Sequence, residues 1–146
     1  MLRIHFETPV HGWILVTFEG SEQILRLDVS QVPIDSLASF VEVPLSFVER
    51  DEGIGRVHVE PGVYDIVLRK EGDQALLQVF ELPHLKTMAG KGTLVFKAQD
   101  TSQTLLLMWW RALRNLESRF DEAHWNYGFP TAAVKRLGVI VKAKDP

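Results

Sequence analysis

Cysteine is absent from the 146 residues. That excludes disulfides, thiolate metal ligands and a cysteine nucleophile, and it fits a reducing compartment. Long apolar runs are missing as well. The longest, Leu105 to Trp110, is far short of the roughly 18 residues that a membrane span needs. The opening Met1-Leu2-Arg3-Ile4-His5-Phe6-Glu7 carries an early acid and no apolar h-region, so it does not read as a signal peptide. A cytoplasmic location away from any membrane is the expectation. An excess of positive charge is also lacking, with a net charge of -3 and a pI of about 5.9. Nucleic-acid binders are expected to show a high pI and a clustered basic face, whereas Lys135, Arg136, Lys142 and Lys144 form only a short basic tail. No nucleic-acid partner is expected.

Catalytic motifs are missing too. H-E-x-x-H, G-x-S-x-G, G-x-G-x-x-G and Walker A patterns do not occur. Gly90-Lys91-Gly92-Thr93 has the ingredients of a phosphate loop, but it leads into an expected strand, without the helix N-terminus on which such loops rely. A serine nucleophile is not legible in a sequence, because triad partners meet in space. No cofactor is expected.

What is present is an ordinary globular composition, 46% hydrophobic and 24% charged. The length suits one domain over residues 1–146. The small net charge hides an asymmetry. Residues 1–73 hold six Lys and Arg against thirteen Asp and Glu, and residues 74–146 hold ten against six. One half is acidic and the other basic.

Apolar residues recur with period two through the first two thirds of the chain, the mark of strands. Leu2, Ile4 and Phe6 alternate with polar neighbours, His11 to Glu19 is apolar on both faces over much of its length, and Glu19-Gly20-Ser21-Glu22 turns into Ile24 to Val29. A helix follows, opened by Pro33 and Asp35 and carrying Ile34, Leu37, Ala38, Val41, Leu45 and Val48 at helical spacing. Pro44 is expected to kink or split it. Strands resume over Ile54 to Glu60, Val63 to Arg69 and Gln74 to Leu82, with Pro61-Gly62 placed for a type II turn. Pro83 to Gly92 reads as a loop before a strand from Thr93 to Ala98. Asp100-Thr101-Ser102-Gln103 opens a long helix as a capping box, with Leu105, Trp109, Leu113, Leu116 and Phe120 on one face. An aromatic connector, Trp125 to Pro130, leads to a short helix from Thr131 to Leu137. The expected fold is therefore α+β: a mainly antiparallel sheet of six or seven strands packed by two main helices, one after the third strand and a long one after the last.

Three groups of residues stand out as candidates. Arg3-x-His5-x-Glu7 and Arg56-x-His58-x-Glu60 place the same polar triplet twice on alternate strand positions. If the two strands were neighbours, His5, Glu7, His58 and Glu60 could form a metal site or an acid/base pair; otherwise they are solvent-facing stripes. On the first helix, Phe40, Val43 and Phe47 make a second apolar face opposite the Leu37/Val41/Leu45/Val48 stripe. Either further elements cover it, or Pro44 breaks the helix and voids the pattern, or it is a surface for a partner or a second copy. On the long helix, Leu107 and Met108 share a side with Arg111, a mixture enriched at interfaces; a fold-back of the aromatic connector is the alternative. A ligand pocket near Trp13, Tyr64 or Trp110 is a third class of function.

The strand run, the Pro33-Ile34-Asp35-Ser36-Leu37 helix start, the Glu60-Pro61-Gly62-Val63-Tyr64 turn and the Trp-rich C-terminal helix followed by Phe129-Pro130 resemble small uncharacterised bacterial α+β proteins. Some of those are similar to immunity proteins encoded beside secreted toxins. The resemblance implies an architecture and assigns no functional residue. The expectation is a non-catalytic protein acting through protein contacts, by self-association as a homodimer or by binding and inhibiting a partner. The rival is a small enzyme or metal-binding protein built on the two Arg-x-His-x-Glu stripes.

Overall fold

The computed structural model describes residues 2–60, 62–89 and 91–143. The expected Pro61 turn position, Gly90 and the Lys144 end of the basic tail lie outside them. The fold is α+β, with seven antiparallel strands divided into two sheets. Strands β1 (Arg3–Phe6), β2 (Trp13–Glu19) and β3 (Ile24–Ser30) form a meander in the order β1-β2-β3. Helix α1 (Ser36–Arg50) crosses to the second sheet, in which β4 (Glu52–His58), β5 (Val63–Glu71), β6 (Gln74–Leu82) and β7 (Thr93–Thr101) lie side by side in sequence order. Helix α2 (Ser102–Arg119) follows the last strand directly, and a single 3₁₀ turn (Glu122–His124) leads to α3 (Thr131–Ala143).

The strands end where the turn chemistry demands. His11 and Gly12 both adopt positive φ between β1 and β2, as a two-residue hairpin turn with right-handed strand twist requires. Asp35 caps α1 by accepting from the Ala38 amide, and Asp51 closes it in the left-handed conformation with its N–H on the Phe47 carbonyl. The capping box expected at the long helix is rearranged. Thr101 is the cap and accepts from the Thr104 amide. Gln103 does not reach back; its amide group donates to the Val141 carbonyl of α3.

Pro44 does not break α1, which runs unbroken through it. A proline at this position removes the N–H that would serve the carbonyl four residues earlier, that of Phe40. Trp109 of α2 supplies the missing donor: its indole Nε1 donates to the Phe40 carbonyl at 2.9 Å, fully buried. One tertiary hydrogen bond thus substitutes for the helical one.

Helix α1 lies between the two sheets, and this explains its two apolar faces. Phe40 packs edge-on against Phe6 of β1, with ring centroids 5.2 Å apart, and lies 6.1 Å from Phe18 of β2. The side carrying Ser36, Ser39 and Val43 presses on β4. There Gly55 has no room for a side chain, since a Cβ would stand 2.9 Å from the Ser39 carbonyl and 2.7 Å from Val43 Cγ2. The same approach lets α1 cover the free edge of β4. Ser36 Oγ accepts from the His58 amide, and Ser39 Oγ donates to the Arg56 carbonyl at 2.7 Å. Unpaired edge groups are a liability for aggregation, and here two serines one turn apart satisfy two of them.

Candidate interaction surfaces

The structure places Phe40, Val43 and Phe47 in the core, at 0%, 0% and 4% exposure. They are therefore not an exposed docking face. The face that looked surplus on the helix is the one the second layer covers. Phe47 retains one role near the surface: with Val48 and Leu106 it floors a cleft of about 480 Å³ whose rim includes Asp51 and Lys70.

The two Arg-x-His-x-Glu stripes do not meet. His5 and Glu7 lie on or just beyond β1 in the three-stranded sheet, whereas His58 ends β4 in the other. His5 Nε2 stands 3.4 Å from Glu7 Oε1 on an exposed surface. Among the described residues no group of three or more His, Asp or Glu could hold a metal ion. The shared pattern belongs to two separate strands, with Glu7 and Glu60 beyond the strand ends, and Arg56 of the second triplet has taken another partner.

Arg56 is the clearest case. Its Nε donates to Asp65 Oδ1 at 2.8 Å and its Nη2 to Asp65 Oδ2 at 3.0 Å, a two-point grip on a carboxylate only 1% exposed. The third arm, Nη1, donates to the Leu85 carbonyl. The Arg56 pKa is raised, chiefly by the hydrogen bond to Asp65 and against the opposing effect of burial. The guanidinium therefore fastens the loop after β6 to the outer face of the four-stranded sheet.

That outer face is the surface the sequence pattern did not reveal. Side chains alternate along a strand, and Val57, Ile66, Leu68, Leu77, Val79 and Phe96 point into the main core with the helices. Arg56, Asp65, Phe80 and Leu94 form a row on the opposite side, four strands wide, and Ile54, Val67, Gln78 and Lys97 form the next. Val63, Val67, Leu76 and Leu82 are buried on this side, outside the main core cluster. Around them Ile54, Leu85 and Leu94 are exposed by 40% or more, and Met88 of the adjoining loop by 73%. A period-two reading assigns such residues to a solvated strand face or a loop, so only the register brings Leu94 opposite Phe80 and puts the Leu85 loop above them.

The α2 candidates occupy a different place. Leu107 and Met108 are half-buried against the main cluster, and Arg111 is exposed. Met108, Arg111 and Asn115 form one wall of a groove of about 390 Å³ whose other wall is Arg3, Ile4 and His5. The Ile4 backbone belongs to the open edge of β1, since Glu7 donates to the Leu15 carbonyl of β2 and alternate residues face away. Farther along, Arg119 closes that edge by donating from Nη2 to the Phe6 carbonyl at 2.7 Å and from Nη1 to Thr8 Oγ1. Trp13 and Tyr64, expected near a pocket, do line one open groove of about 350 Å³, but it runs between the two sheets. Trp110 lies elsewhere, against α3. Tyr64 donates to Glu81 Oε2 at 3.0 Å, and burial, then this bond, raise its pKa.

No protein-family description matches the chain, and no curated protein matches it. The fold does have a solved counterpart. It is similar to a chain of the structure described as the CdiA-CT/CdiI toxin and immunity complex from Enterobacter cloacae, with a TM-score of 0.51 over 81% of this chain and 99% of that one, at 13% identity. The resemblance to immunity proteins read from the sequence thus has a counterpart in the fold, that of a chain from a toxin and immunity complex.

Proposed function

We propose that this protein acts without catalysis, in the cytoplasm, by binding a partner protein through the outer face of its four-stranded sheet and blocking that partner. The observation that carries the reading is the exposed apolar set Ile54, Leu85 and Leu94 around the pinned Arg56–Asp65 pair, on a face that none of the three helices covers. Contiguous apolar surface rimmed by polar groups marks interaction sites on soluble proteins. The fold likeness to a chain of a toxin and immunity complex supports a partner of a different kind rather than a second copy. Self-association loses the stripe that first motivated it, because Phe40, Val43 and Phe47 are buried. It keeps a narrower basis in the Leu107, Met108 and Arg111 side of α2, beside the open β1 edge.

The test compares wild-type protein with Leu85→Asp/Leu94→Asp and with Met108→Asp/Arg111→Glu. Partners retained on immobilised protein are identified and the complex is rebuilt from pure components, while light scattering gives the mass of each variant alone. The expected result is a rebuilt complex with wild type and with the α2 variant, lost with Leu85→Asp/Leu94→Asp, and a monomer throughout. A wild-type dimer dissociated by the α2 substitutions would replace this reading with self-association.

A further inference from the structure

The α2–α3 layer carries its own chemistry. These two helices hold six of the sixteen Lys and Arg of the chain but one of its nineteen Asp and Glu. They are net +5, and everything else is net -8. The sole acid, Glu117, is taken by Arg114 at 3.0 Å. Helix α3 has no acid at all. On its outer side stands Val139, 65% exposed. Lys135, Arg136 and Lys142 are four and three residues before it and three after it, the positions that surround a residue on a helix surface. All three are exposed, and no carboxylate among the described residues pairs with them.

Two cations of the layer, Lys142 and Arg114, stand over the ring of Trp110. Lys142 Nζ sits 4.7 Å from the centre of its ring and Arg114 Cζ 5.7 Å, both within cation–π range. Helix α3 approaches this closely because residue 138 is glycine, where a Cβ would stand 2.8 Å from indole Cε2. A charge already fixed on an aromatic face loses less freedom on binding than a free lysine.

We propose that the α2–α3 layer is a second docking surface, for an acidic segment of a protein, with Val139 as its apolar centre and Lys135, Arg136 and Lys142 as its cationic rim. An apolar centre inside a charged rim is the arrangement of protein interfaces, and the positive layer on an otherwise acidic molecule orients an acidic partner as it approaches. Nucleic acid fits less well. Cations and α3 occupy the surroundings of the Trp110 ring, so it is no platform for stacking bases, and the rest of the chain repels a long polyanion. This surface does not depend on the outer sheet face, which lies across the core from it.

The probe is a fluorescein-labelled peptide of alternating Glu and Leu, followed by anisotropy, with an unlabelled single-stranded oligonucleotide as competitor. The peptide is expected to bind wild type and Leu85→Asp/Leu94→Asp equally, to weaken as salt is added, and to lose about tenfold in affinity with Lys135→Glu/Arg136→Glu. Val139→Asp should weaken it by a similar factor. Lys86→Glu/Lys91→Glu makes the same change in net charge on the distant loop and should leave most of the affinity. Should Lys135→Glu/Arg136→Glu alter the melting curve, Lys142→Gln serves in its place. Absence of binding, equal losses in the two charge-reversed pairs, or displacement by oligonucleotide at lower concentration than by unlabelled peptide would each overturn the proposal.

Discussion

Asp65, buried on the outer face of the four-stranded sheet, is held at two points by Arg56, at 2.8 and 3.0 Å, while the third arm of the same guanidinium ties down the Leu85 carbonyl. One side chain thus satisfies a buried carboxylate and positions the loop of the proposed partner face.

Removing only one member of the pair is therefore costly. Arg56→Met should destabilise by about 3 kcal/mol, because it leaves the Asp65 charge buried without compensation. Arg56→Met/Asp65→Leu should recover most of that loss. Urea melts of the wild type and the two variants check this, and a double variant no more stable than Arg56→Met would show that the pair is not the cause. Backbone amides of residues 84–89 should exchange faster in both variants, since both lack the bond to Leu85.

The serines of α1 make a second prediction. Ser36→Ala leaves the His58 amide at the β4 edge without an acceptor and should cost about 1–3 kcal/mol. Ser39→Ala removes a donor from the Arg56 carbonyl and should cost less, because carbonyls tolerate partial satisfaction better than amides do. Chemical denaturation gives the order, and the reverse order would contradict the assignment.

Trp109 and Pro44 should be coupled although they lie on different helices. Trp109→Phe orphans the Phe40 carbonyl and should cost about 1–3 kcal/mol beyond the packing loss. In a Pro44→Ala background the restored amide can serve that carbonyl, so the same Trp109→Phe substitution should cost less. A double-mutant cycle measures the difference; additive effects would mean that the indole bond does not replace the helical one.

Tyr64 gives a pH signature. Burial and the bond to Glu81 raise its pKa above the ordinary 10.0. A folded-state pKa above the unfolded one stabilises the protein fully below pH 10, and that contribution is lost as pH rises through the raised value. In Tyr127→Phe, which leaves Tyr64 as the one tyrosine, the tyrosinate absorbance should have its midpoint above 10. Adding Glu81→Gln should lower the midpoint only partway, because burial is the larger cause. A midpoint at or below 10 before that substitution would contradict the environment described.

The α+β class, six or seven antiparallel strands and the helix positions were legible because each depends on local periodicity and turn chemistry; the division of the seven strands into two sheets, where one was expected, was not, because strand pairing is long-range. The seeming surplus of apolar residues on α1 was legible too, down to Phe40, Val43 and Phe47. Their role was not, because a helix sequence shows how many faces are apolar without showing how many layers will cover them. Phe40→Asp, which on the sequence alone looks like a probe of association, is a core lesion in the structure.

The repeated Arg-x-His-x-Glu triplet follows the same logic. Period-two alternation placed Arg3 and His5 on one face of β1 and Arg56 and His58 on one face of β4, while Glu7 and Glu60 fall beyond the strand ends. Whether two strands adjoin is set by long-range pairing, and the chain pairs β1 with β2 and β4 with β5, in separate sheets. The charge asymmetry was visible as an acidic half and a basic half. Packing α2 and α3 together through Gly138 and Trp110 brought Lys142 of α3 and Arg114 of α2 onto one indole ring. Composition and local pattern determined which residues are apolar, charged and strand- or helix-forming; only the tertiary structure decided which of them share a face, because that depends on contacts between residues far apart in the chain.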